Sequence, residues 1–217
     1  MKKMSATQLA TAIAIIFHTV GLTGILIFNS GLIIRSTPLN LLLSFALLLC
    51  TAPAKNQRLW LLTAACIITG ITVEVIGVNS GWLFGNYQYG PVLGFKIFNV
   101  PLIIGINWFI IIYCCGNSIQ LLAARYNIRL PVGVLALAAA ALAVLFDWLI
   151  EPTAIKLNYW SWAAGKIPLY NYVCWYIVSY LLLQLYYQKC LPPRANKLAV
   201  NLLLIQFVFF LLLKFFL

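Results

Sequence analysis

Residues 131–150 read Pro-Val-Gly-Val-Leu-Ala-Leu-Ala-Ala-Ala-Ala-Leu-Ala-Val-Leu-Phe-Asp-Trp-Leu-Ile, and this stretch decides the fold. Nothing before Asp147 in it can form a side-chain hydrogen bond or carry a charge. A helix needs about 20 mostly apolar residues to cross a bilayer. Pro131 stands where a first-turn proline is tolerated, so the helix has a natural start. Six further apolar stretches flank it, at Gln8–Phe28, Pro38–Ala52, Leu59–Val78, Ile97–Cys115, Leu169–Tyr187 and Leu198–Leu217. The expected fold class is therefore all-α: a polytopic membrane helix bundle of about seven transmembrane helices. It forms one integral membrane domain over residues 1–217, with no room for a soluble module. Pro38–Ala52 is short, which suits a tilted or half-buried helix. Pro101 either kinks the fourth helix or marks its true start.

The composition agrees. The chain of 217 residues is 64% hydrophobic and 8% charged, with a mean hydropathy of +1.01. A soluble domain carries about 25% charged residues, so that class is excluded, and disorder with it. Fourteen Lys and Arg against three acids give a net charge of +11. In a soluble chain this would point to nucleic acid. In an apolar one it reads as loops beside anionic lipid, so the expected partner is the bilayer of the cell membrane and no nucleic acid.

The basic residues also set an orientation. With the N-terminus inside, Lys2, Lys3, Lys55, Arg58, Arg125, Arg129, Lys189, Arg194 and Lys197 lie inside, against Arg35, Lys96, Lys156, Lys166 and Lys214 outside. That excess favours N-in. Met1-Lys2-Lys3 before an apolar run resembles a signal peptide, but Gln8–Phe28 is too long for its apolar core. It reads as a first helix that stays. The six cysteines form no metal-binding spacing and read as small apolar fillers.

Two connections stand out, Asn79–Lys96 and Glu151–Pro168. Both are rich in Trp, Tyr, Asn and Gly, and both fall on the outer side. They share a pattern: an acid near a helix end (Glu74, Asp147), then Asn-Tyr followed by an aromatic two or three residues on (Asn86-Tyr87-Gln88-Tyr89; Asn158-Tyr159-Trp160-Ser161, with Trp162 next), then a Lys and a Pro. This suggests a parallel internal repeat of helix–loop–helix units.

The only acids are Glu74, Asp147 and Glu151. Asp147 and Glu151, four apart, share a helix face. All three fall at one level, beside the aromatic loops. An ionisable group inside a membrane is a functional candidate by default; its structural alternative is a carboxylate that ties loops together. Carboxyls in apolar surroundings can supply both a proton donor and an acceptor, the requirement of general acid–base catalysis. Glu74, Asp147 and Glu151 are therefore the candidate catalytic residues.

The surrounding residues suit proton chemistry on something apolar. Trp82, Trp108, Trp148, Trp160, Trp162 and Trp175, with Tyr87 and Tyr159, could wall a carbocation through ring faces, or could form an interfacial aromatic belt. Asn79, Asn99, Asn107 and Asn171 could position a water. Asn86 and Asn158 read as turn residues. The lone histidine, His18, reads as a packing residue. No Ser/His/Asp set, phosphate-binding Gly loop, Asp-rich magnesium motif or dinucleotide fingerprint is present. No cofactor and no metal are expected.

The segments Glu74–Gly90 and Gly94–Trp108 resemble the bacterial and archaeal carotenoid biosynthesis membrane proteins of the CruF type. Asp147–Ala154, Asn158–Trp162 and Ile167–Tyr172 are similar too, so the resemblance covers roughly residues 70–180. It implies a carotenoid 1,2-hydratase, adding water across a terminal double bond of an acyclic carotenoid. Water and the carotenoid are then its substrates, and other carotenoid enzymes are candidate partners. In the expected mechanism Glu74 or Asp147 protonates the alkene, a tertiary cation forms, and water held by Asn and a second carboxylate attacks. Two alternatives remain open: a carotenoid end-group cyclase using the same protonation, or a small membrane transporter. A transporter would place its acids near the bilayer middle rather than at one level beside the loops.

Overall fold

In the computed structural model, residues 4–163 and 165–217 are described; Lys2 and Lys3, counted above for orientation, lie outside them. The helices are α1 (Ala6–Leu26), α2 (Gly31–Arg35), α3 (Thr37–Thr51), α4 (Gln57–Ser80), α5 (Ile103–Arg125), α6 (Val132–Lys156), α7 (Leu169–Leu185) and α8 (Lys197–Phe216). Short strands β1 (Tyr87–Tyr89), β2 (Lys96–Ile97), β3 (Val100–Pro101) and β4 (Trp160–Trp162) interrupt the connections. The fold is an all-α bundle. Five helices, α1, α4, α5, α6 and α8, are long and apolar enough to cross a membrane, and α3 is a shorter apolar helix. α7 runs on into a π turn at Tyr186–Cys190.

Local chemistry sets the helix ends. Ser5 and Gln8 form a capping box at the start of α1. Asn56 and Asn196 accept the free N–H groups that open α4 and α8. Gly81, at φ +69°, ends α4 in the left-handed conformation that glycine adopts without strain.

The fourth expected helix differs from Ile97–Cys115. Residues 96–101 form the β2–β3 hairpin, with Ile97 opposite Val100. Phe98 and Asn99 turn it with positive φ angles of 48° and 68°, as a two-residue primed turn requires. Pro101 closes the hairpin and the helix begins after it. α5 then runs through Gly116 to Arg125. α6 likewise passes Ile150 and Pro152 to reach Lys156.

α5 is the central helix. It packs against α3, α4, α6 and α8, and Trp108 to Ser118 is buried without a break. α1 packs on α8 and runs parallel to it: Asn201 Nδ2 donates to Thr11 Oγ1 (3.0 Å), and further along Phe209 sets its edge against His18. Glycine lets α5 approach α4 closely. A Cβ on Gly70 would stand 2.6 Å from the Trp108 ring, so the indole occupies the space that side chain would fill. All six cysteines are free.

Candidate active site

The two unusual loops meet. β1 and β4 pair antiparallel, with Tyr87 opposite Trp162, Gln88 opposite Ser161 and Tyr89 opposite Trp160. Gly90 N–H to Tyr159 O (2.8 Å) and Ala163 N–H to Asn86 O (2.9 Å) extend the pairing. A Cβ on Gly90 would fall 1.9 Å from the Asn158 carbonyl oxygen, so only glycine allows this approach. The pairing brings the C-terminal ends of α4 and α6 to the same end of the bundle.

Strand alternation puts Tyr87, Tyr89, Trp160 and Trp162 on one face, toward the acids. Glu74 Oε2 accepts from the hydroxyls of Tyr87 and Tyr89 (2.7 Å for Tyr89), and its Oε1 accepts from Trp108 Nε1 at 3.1 Å. Glu151 Oε2 accepts from Trp160 Nε1 (2.9 Å) and Trp162 Nε1 (3.1 Å). Each strand thus turns its two inward aromatics onto the acid of the helix that precedes it. The counterpart of Glu74 is Glu151, and the sequence pattern that paired Glu74 with Asp147 is corrected here. The pattern went astray because the second acid-to-strand spacing is shorter by one helical turn.

Asp147 is bonded differently. Asn171 Nδ2 reaches its Oδ2 at a weak 3.4 Å, and among the described residues no hydrogen bond reaches Oδ1. All three acids are buried. Burial first, and then the Glu74 carboxyl beside them, push the Tyr87 and Tyr89 phenols up. Both stay O–H donors through the neutral and mildly alkaline range.

The three acids line one cavity of about 90 Å³. Its other walls are mostly apolar or aromatic, with Thr37, Asn107, Asn171 and Gln206 as the polar exceptions, and no basic side chain among the described residues lines it. Trp108 and Trp175 stack face to face at 3.9 Å in its wall.

Of the expected substrate-binding residues, Tyr87, Asn107, Trp108, Tyr159, Trp160, Asn171 and Trp175 line this cavity, and Trp162 reaches it through Glu151. The structure does not bring Asn79, Trp82, Asn99 or Trp148 there. Asn79 and Asn99 brace the hairpin: Asn99 Nδ2 donates to Asn79 Oδ1, and Asn79 Nδ2 donates to Phe98 O, each at 3.0 Å. Trp82 is 84% exposed. Trp148 is half exposed beneath the Lys214 ammonium, 4.0 Å from its ring. These two Trp fit the interfacial belt instead. Sequence reasoning missed Tyr89, Phe84 and Gln206. Tyr89 was recoverable, since the alternation Tyr-Gln-Tyr puts it beside Tyr87.

The chain belongs to the carotenoid biosynthesis protein family, whose profile matches residues 36–217. Among curated proteins it is similar to bisanhydrobacterioruberin hydratase of Haloarcula japonica, at 24% identity over 190 residues, covering 78% of this chain and 61% of the relative. The chain thus spans about three fifths of that relative's length. No solved structure matches it. The family expected from segments 74–108 and 147–172 is the family found.

Proposed function

We propose that this protein is a carotenoid hydratase that adds water to the terminal double bond of an acyclic carotenoid. One observation carries the reading: three carboxyls converge in a mostly apolar and aromatic cavity with no basic residue among the described residues that line it. The hydratase relative supports it.

The hydrogen bonds divide the roles. Glu74 is held at both oxygens by phenol and indole donors, and Glu151 at one oxygen by two indoles. Asp147, reached among the described residues only by the weak contact from Asn171, is assigned as the proton donor. Its proton adds to the alkene carbon that bears one hydrogen. The π pair leaves a tertiary cation on the carbon bearing two methyl groups. The neighbouring carboxylates and the ring faces stabilise that charge as it develops. A water held by Asn171 or Asn107 attacks the cation and forms the C–O bond. A carboxylate takes the water's extra proton, and a proton returns to Asp147. The product is a tertiary alcohol. The same reading gives seven membrane crossings, an inner N-terminus and a site near the outer face.

Expression in lycopene-accumulating cells tests this. The expected product is heavier by one water. Asp147→Asn should lower its yield by about 10²–10⁴-fold, the range of general acid catalysis. If no heavier product forms, and Asp147→Asn and Glu74→Gln leave every carotenoid unchanged, the reading fails.

A further inference from the structure

Two further spaces adjoin the acid cavity. One, of about 200 Å³ between α1, α3 and α8, shares Thr37, Leu41, Tyr159, Gln206 and Phe210 with it. The next, of about 330 Å³ between α1 and α8, shares His18 and Phe209 with the second. Ile15, Leu204 and Val208 wall this last space and are about half exposed on the flank of the bundle. The three spaces form a row from the acids to that flank.

Two polar groups along the row lack partners. Gln206 is only 6% exposed, lines both the first and second spaces, and makes no side-chain hydrogen bond among the described residues. His18 Nδ1 lies 2.8 Å from Ala14 O. A carbonyl only accepts, so Nδ1 carries the hydrogen and Nε2 has no partner among the described residues. A polyene pairs with neither group, so the case for an apolar occupant rests on the walls the three spaces share.

We propose that this row is the berth of the substrate's polyene tail. The tail slides in sideways from the bilayer between α1 and α8, passes Phe209 and Gln206, and brings its terminal double bond to Asp147. The occupant's identity rests on the hydratase reading; the berth rests on the shared walls. Leu204 to Leu212 alone rises roughly 12 Å along α8, so this last space is elongated along the helix, as a rod-shaped apolar molecule needs. A flank opening also spares such a molecule any passage through water.

Gly21 and Val20 line the middle space. A Cβ on Gly21 would stand 3.4 Å from the Phe209 ring, ordinary contact, so alanine fits and tryptophan fills the berth. Val20 is half exposed, so Val20→Trp obstructs the same space without disturbing the core.

The test purifies the full chain and its variants in mild detergent from lycopene-accumulating cells and reads polyene absorbance per protein, with Tm as the folding control. Gly21→Trp and Val20→Trp should each lower retained carotenoid at least about tenfold, since one methylene in an apolar pocket already decides 10–200-fold. Gly21→Ala should retain as much as the native chain. Folded tryptophan variants that retain native amounts overturn the berth, whether a lipid tail or nothing fills it. If the native chain retains carotenoid that the tryptophan variants lose, yet hydrates none, the berth stands and only the hydratase reading falls.

Discussion

Glu74 is held by donors from two separate elements: Tyr87 and Tyr89 from β1, and Trp108 from α5. Removing one leaves the buried carboxyl a partner short, at a cost of about 1–3 kcal/mol. Tyr89→Phe and Trp108→Phe should each lower the Tm of the detergent-solubilised protein accordingly. Trp108→Phe keeps a ring over Trp175 but also empties buried volume, so it should be the costlier of the two. Trp82→Ala is the contrast: at 84% exposure it should stay within about 0.5 kcal/mol of native and leave turnover unchanged. The scarcity of acids made Glu74, Asp147 and Glu151 legible in the sequence. Their roles were not, because roles depend on which donors face each oxygen, and those donors come from residues 9 to 34 positions away. Trp82 and Trp148 misled for a related reason. Indoles suit the interface and a cavity equally well, and only the helix face that each occupies separates the two uses.

The decisive element is the β1–β4 pair, because it locks the ends of α4 and α6 together and turns four aromatics inward. Its two halves were legible as similar loops, but their pairing was not, since strands of three residues carry almost no periodic signal. The helix contact behind it rests on Gly70, where the Trp108 ring fills the missing side chain. Gly70→Ala must push that indole away, breaking its bond to Glu74 and its stack on Trp175. Overpacking of this kind costs about 1–3 kcal/mol. The expected result is a lower Tm, a shift in tryptophan emission and reduced turnover. Native emission and turnover in Gly70→Ala would show that the Trp108 position is not critical.

At the scale of the whole molecule, the apolar runs announced a helix bundle, while Pro101 and Pro152 hid two helix boundaries by opposite means. Pro101 lies in a hairpin that looked helical, and Pro152 lies inside a helix that looked finished. The parallel course of α1 and α8 supports an odd number of crossings between them, and hence the proposed seven. Ser161, exposed beside the acids, reports the side on which the site lies. In a Cys50→Ser background, Ser161→Cys should react with a membrane-impermeant maleimide on intact cells. Arg194→Cys should react only after permeabilisation. The reverse pattern would invert the proposed orientation.

The central claim is that water, rather than a neighbouring alkene, captures a cation made by protonation. Purified protein supplied with an acyclic carotenoid in heavy-oxygen water tests it most directly, by product mass. We expect a product heavier by one water and carrying the heavy oxygen, lost in Asp147→Asn. A product isomeric with its substrate and free of the label would contradict it.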